Sequence, residues 1–178
     1  MHQYQDLVNI FHSCFFEKYN TVLIKGEDEP LYLPADTNCP YNSLIFARGF
    51  FASALHECSH WLIAGEKRRT QVDFGYLYMP DGRSNVEQQL FQSMEIKPQA
   101  LEWILSMAAN YRFQVSIDNL NGAESDTYAF KLSLYNQVKA YCEKGLSERG
   151  ESFRQALCHF YDTPKILNIK DFRMEMIL

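Results

Sequence analysis

No stretch of this 178-residue chain approaches the roughly 20 consecutive apolar residues needed to span a bilayer. No membrane is therefore expected as a partner. The opening MHQYQDLVNIFHSCFF has no basic start followed by a continuous apolar stretch, so it is not expected to act as a signal peptide. A basic surplus is missing too. The formal charge is −5, whereas duplex-binding proteins carry a positive footprint, and nucleic acid is not the expected partner. The five cysteines, Cys14, Cys39, Cys58, Cys142 and Cys158, show no CxxC spacing, and their number is odd. Reduced thiols in a cytoplasmic protein follow, each expected to behave as a small buried hydrophobe. Repeats, low-complexity segments and Pro/Gly/Ser-rich linkers are all absent, so one domain is expected over residues 1–178.

Apolar and aromatic residues make up 47% of the chain and charged residues 22%, a globular balance. Helical spacing of apolar residues predicts helices over 3–17, 49–64, 85–96, 100–111, 124–145 and 150–162. Pro98 either opens a new helix or kinks a continuing one. Short β-rich runs predict strands at 21–24, 31–33, 43–47, 72–78 and 113–117. Along the second helix Phe50, Ala54, Cys58 and Trp61 share one face, and Gly65 offers a left-handed stop. On the helix over 100–111, Leu101, Ile104, Leu105 and Ala108 are expected to face inward. The expected fold class is α+β, a mostly helical domain with a small sheet.

The sharpest motif is His56-Glu57-Cys58-Ser59-His60. Residues four apart on a helix project from one face, so both imidazoles can reach one cation. Glu57 can approach a metal-bound water without being a ligand. This is the HExxH arrangement. Two protein ligands are too few for firm binding, and a carboxylate is the better source of a third than His2, His12 or His159. Glu95, 35 residues after His60 and expected near a helix start that would keep it ionised, is preferred. Glu102 is held in reserve. Two histidines and a carboxylate suit zinc, with Glu57 as a hydrolytic general base, or ferrous iron, with positions open for oxygen. The motif by itself leans to a zinc peptidase.

The flanking residues point elsewhere. The sequence resembles the elongation factor P hydroxylase family, a small bacterial group that completes the lysine modification on elongation factor P. The resemblance is carried by LIKGEDEP at 23–30, YLPA at 32–35, PYN at 40–42, the block from Phe46 through His60-Trp61 to Gly65, VDFGY at 72–76, PDGR at 80–83, EIKPQAL at 95–101, Val115-Ser116 and DNL at 118–120. Tyr161-Asp162-Thr163-Pro164 extends it more weakly. The resemblance implies a cytoplasmic, iron-dependent monooxygenase with a zincin-like metal helix and molecular oxygen as co-substrate. Its substrate would be the lysine of elongation factor P, already carrying a β-lysyl group. It also implies His56, His60 and Glu95 as metal ligands and Glu57 as the nearby acid, whether base or only a shaper of the site. At position 102 the family pattern accepts aspartate, a swap a ligand would tolerate poorly.

The chemistry is consistent with that implication, because zinc has no redox chemistry with which to oxidise an unactivated C–H bond. A long cationic substrate side chain calls for an acidic, partly aromatic entrance. Asp73, Tyr76, Asp81 and Asp118 are the candidate substrate contacts, with Glu27, Asp28, Glu29 and Tyr78 behind them. The basic run Lys67-Arg68-Arg69 reads as a solvated loop or as a patch for an acidic partner face. No G-x-G-x-x-G loop is present, so an external electron donor is expected. No arginine stands out as placed to bind 2-oxoglutarate, and that co-substrate is not expected.

Overall fold

The first helix, α1 (Tyr4–Tyr19), turns straight into a sheet because Asn20 takes a left-handed conformation at its end. The computed structural model describes residues 2–73, 85–116 and 127–178, without the side chains at 85, 86, 88 and 89. After α1 come strands β1 (Thr21–Lys25), β2 (Leu31–Leu33) and β3 (Asn42–Phe46). The sheet order is β1-β3-β2. β1 runs parallel to β3 with Leu23 opposite Leu44, and β2 runs antiparallel to β3 with Tyr32 opposite Leu44. Asn42 locks the corner: its side-chain amide donates to the carbonyls of Tyr19 and Asn20.

Helix α2 (Phe51–Ile63) follows a left-handed pair, Arg48 and Gly49. A Cβ on Gly49 would lie 3.2 Å from Lys25 and Tyr4 side-chain atoms, so glycine serves both the backbone angle and the close approach. Then come α3 (Asn85–Ala108), α4 (Thr127–Lys144) and α5 (Glu148–Tyr161), with two short 3₁₀ turns in the tail. α4 ends at Gly145 with φ 83°, the stop its sequence position suggests. Among the described residues no helix is long and apolar enough to cross a membrane.

One core joins the sheet, α1, α2 and α5. Phe11 and Phe15 of α1 meet Trp61 of α2 and Phe153 of α5 with ring centroids 4.8–5.9 Å apart, mostly edge-on or tilted. A second cluster lies on another face of α3, where Trp103 stacks on Phe113 and meets Phe172 of the tail edge-on. α3 is therefore a shared wall, with Leu101 and Leu105 in the first core and Trp103 and Ile104 in the second.

Several expectations need correction. Of the two readings of Pro98 the continuing helix holds, from Asn85 to Ala108 and not to 111, so the expectation that fails is Glu95 near a helix start: it sits mid-helix. Residues 113–116 are not a strand. The backbone of Ser116 pairs with the Gln99 side chain instead of a neighbouring strand, and Phe113 is held by Trp103. Gly65 does not adopt a left-handed conformation; α2 ends on an extended Ala64. Phe50 is 62% exposed at the helix entry, and Phe51 takes the buried place. Of the cysteines, only Cys58 and Cys158 are buried, while Cys14, Cys39 and Cys142 are half-buried, and none forms a disulfide. Of the strand expected at 72–78, Asp73 makes a single bridge to Tyr32, and 74–78 lie outside the described residues.

Candidate metal centre

Helix α2 is held from its apolar side and its C-terminal end. Ala54, Leu55, Cys58 and Leu62 are fully buried, and Trp61 nearly so. The last carbonyls of a helix have no partner within it. Here Arg149 donates to the carbonyls of Trp61 (2.9 Å) and Ala64 (2.5 Å), Ser147 to Leu62 (3.2 Å) and Arg69 to Ala64 (2.7 Å). The Arg149 guanidinium also lies over the Trp61 ring at 4.5 Å. Two arginines thus complement the negative end of the helix dipole and replace the glycine stop. This fixes the rotation of α2 and aims His56 and His60 at α3.

Helix α3 answers with a polar seam. Glu95, Gln99, Glu102 and Ser106 recur at steps of four, three and four, which puts them on one face, and each is at least 94% buried. His56 Nε2 and His60 Nε2 lie 3.1 Å apart. Glu95 Oε1 is 3.2 Å from His60 Nε2, and Glu95 Oε2 is 3.6 Å from His56 Nε2. These three residues offer ligand atoms all within 4.8 Å of one another, a group that could hold a metal ion. Glu102 does not join them. Its Oε2 accepts a hydrogen bond from His56 Nδ1 at 2.8 Å, which makes Nε2 the ring atom that faces the cluster and the one that could bind a cation once it gives up its proton.

The donor set fits a divalent cation. Ligand atoms about 2.1 Å from one ion stand about 3.0 Å apart at right angles and about 3.4 Å apart at tetrahedral angles. The 3.1 Å between the two imidazole nitrogens and the 3.2 Å from His60 Nε2 to Glu95 Oε1 fall between those values, and the 3.6 Å spacing is from His56 to the other Glu95 oxygen. Charge leads to the same conclusion. Three buried carboxylates, Glu57, Glu95 and Glu102, surround two imidazoles. Burial alone would push His56 down, yet Glu102, Glu95 and Glu57 together raise it to about 10. Burial likewise works against ionised Glu95, but the His60 hydrogen bond and the charge of both imidazoles bring it down to about 2. The cluster demands positive charge, which a metal ion or a proton on His56 can supply.

Glu57 lies outside the converging group. Burial raises its pKa most, the two histidines lower it, and the neighbouring Glu95 and Glu102 raise it again. It lines a cavity of about 30 Å³ together with His60, Tyr32, Trp61, Arg68 and Asp73, enough for a water molecule or two. A carboxyl so placed can hold a proton beside the two histidines.

A family model described as "Elongation factor P hydroxylase" matches residues 10–172. The chain is also 54% identical over 176 residues to a Haemophilus influenzae protein named "Elongation factor P lysine hydroxylase", covering 99% of each chain. The chain belongs to the elongation factor P hydroxylase family. In this hydroxylase family member the entrance residues fare unevenly. Asp73 borders the Glu57 cavity, but its carboxylate is already paired with Arg68. Tyr76, Tyr78, Asp81 and Asp118 lie outside the described residues. Glu27, Asp28 and Glu29 are exposed, with Asp28 paired to Arg48 at 3.3 Å. The basic run is not simply a solvated loop. Arg68 holds Asp73, and Arg69 caps α2.

Three residues at the centre escaped the sequence reading: Gln99, the positioning role of Glu102, and Arg149. For the first two a signal existed, since EIKPQALE carries polar residues at the 3–4 period of a helix whose neighbouring positions are apolar. For Arg149 there was none, because its target is more than 80 residues away in sequence.

Proposed function

We propose that this protein is an iron-dependent monooxygenase that hydroxylates the lysine of elongation factor P bearing a β-lysyl group, a late step in that factor's modification. The observation that carries the reading is the convergence of His56, His60 and Glu95 in a member of a hydroxylase family. His56 Nε2, His60 Nε2 and a Glu95 oxygen would hold ferrous iron. Two histidines and one carboxylate are a donor set that would leave coordination positions open, and iron held there would supply the activation of molecular oxygen. Glu102 keeps His56 in the correct tautomer through Nδ1. Glu57, its pKa raised by burial, faces the cavity beside His60 as an acid that can take up or give a proton, and Trp61 and Tyr32 limit water there. Asp73 supplies a negative charge for the ammonium group of the substrate, shared with Arg68 until the substrate arrives. Electrons come from an external donor, and 2-oxoglutarate is not required. The whole chain works as one hydroxylase domain in the cytoplasm.

The test is purification under anaerobic, reducing conditions, followed by metal analysis and reaction with β-lysyl-modified elongation factor P. The expected outcome is iron in the protein and a mass gain of one oxygen on the substrate, lost in His60→Ala. Zinc in the protein together with peptide cleavage would instead establish a hydrolase with Glu57 as base.

A further inference from the structure

The Gln99 side chain is 1% exposed and every polar atom of it is engaged. Its Oε1 accepts from the Ser116 backbone N–H at 3.1 Å. Its Nε2 donates to the Ser116 carbonyl at 2.8 Å and to Glu95 Oε2 at 3.2 Å. The Ser116 peptide fixes which way the amide faces. A backbone N–H can only donate and a carbonyl can only accept, so the oxygen must face the former and the nitrogen the latter. The second hydrogen on Nε2 is then left for Glu95. A carboxylate with one oxygen occupied in this way turns its other oxygen, Oε1, toward His60.

We infer that Gln99 is a positioning residue for the metal centre: its amide, oriented by the Ser116 backbone, holds Glu95 Oε2 on the His56 side and so turns Oε1 to His60. The inference rests on the reading that His56, His60 and Glu95 bind a metal. It adds a partner for the carboxylate to match the Glu102 partner of His56, so that ligands from both helices are oriented from behind. Both partners come from α3, three residues apart, which accounts for Gln99 and Glu102 in the buried polar seam of that helix. It also accounts for the absence of a strand partner at Ser116, whose backbone groups are taken by Gln99.

The test is Co(II) titration of the full chain, followed by ligand-field absorption, with the melting temperature of the metal-free protein recorded alongside. Gln99→Met keeps length and burial and removes the amide. Ser116 is exposed, so water can take over its backbone groups and the fold is expected to survive. Affinity is expected to fall about 10–100-fold, as for other partners behind a metal ligand, with a changed Co(II) spectrum. Ser116→Pro keeps the buried amide but deletes the N–H that orients it, and is expected to weaken binding by a smaller factor. A residue that only anchors the segment would change the melting temperature and leave affinity and spectrum alone. Affinity within twofold of wild type in both variants, with binding abolished in His60→Ala, would overturn the Gln99 role and leave the metal reading standing. Wild-type protein that binds no Co(II), or His60→Ala that binds it equally, would overturn both.

Discussion

Replacing Glu102 with alanine separates a residue that orients a ligand from one that is a ligand. The bond it removes, His56 Nδ1–H to Glu102 Oε2, is 2.8 Å long, and the Glu102 side chain is 8% exposed. A hydrogen bond to a buried charge contributes about 1.5–3 kcal/mol, and loss of a partner behind a metal-bound histidine weakens metal binding about 10–100-fold. That range corresponds to about 1.4–2.7 kcal/mol. At a fixed excess of metal the same energy is lost from the stability of the loaded protein, lowering its melting temperature by about 3–10 °C for a chain of this size. Glu95→Ala removes a ligand outright and is expected to lose far more, to the point of no measurable binding. Glu102→Gln keeps an acceptor for His56 Nδ1 and should fall between wild type and Glu102→Ala. The assay is anaerobic Fe(II) or Co(II) titration of the three variants, with melting curves of the metal-free forms to subtract damage to the fold. Binding abolished in Glu102→Ala but retained in Glu95→Ala would reverse the ligand assignment. Unchanged binding in Glu102→Ala would refute any part for that carboxylate.

Other perturbations probe the surroundings. Arg149→Met removes two charged hydrogen bonds to the end of α2 and the contact over Trp61, and should cost about 2–4 kcal/mol in chemical denaturation; a loss under about 0.5 kcal/mol would mean that the other caps suffice. In the metal-free protein His56 titrates at about 10, above its ordinary value, so its stabilisation is complete below about pH 6.5 and lost as pH rises through 10. Glu95, lowered to about 2, acts in the opposite sense: its contribution is present above about pH 4.5 and lost as pH falls through 2. Metal binding at pH 8 should therefore release about one proton from His56, seen as a buffer-dependent heat in titration calorimetry; equal heats in buffers of different ionisation enthalpy would contradict this. Asp73→Asn should raise KM for modified elongation factor P about tenfold while metal content stays unchanged; an unchanged KM would remove Asp73 from the substrate path.

Helix α2 and the shared direction of its two histidines were legible in the sequence because two independent periodicities agree there. Ala54, Cys58 and Trp61 mark the face that must be buried, and His56 and His60 mark a second face one turn apart. The sheet was legible too: the β-rich run at 21–24 is ended by Gly26, and the strand expected at 43–47 follows the loop that holds Pro40. α3 was less legible. Its apolar residues Leu101, Ile104 and Leu105 announced an inward face, and the ordinary rule then sends the polar residues between them to solvent. Gln99 and Glu102 break that rule because a cluster of imidazoles and carboxylates inside the protein needs hydrogen-bond partners more than it needs apolar neighbours. Pro98 left the sequence undecided between one helix and two. A proline ordinarily ends one, yet here both flanks of α3 are buried against other elements, and the packing of Leu101 and Trp103 outweighs one missing backbone bond. At Ser116 the backbone pairs with a side-chain amide and not with a strand. The polar residues that break the local rule lie along one line, from Ser116 through Gln99 and Glu95 to His56 and Glu102. A chain that folds only for stability would fill that line with leucine. Its retention as a connected polar network between α2 and α3 is what the proposed metal site would require and what a purely structural core would not.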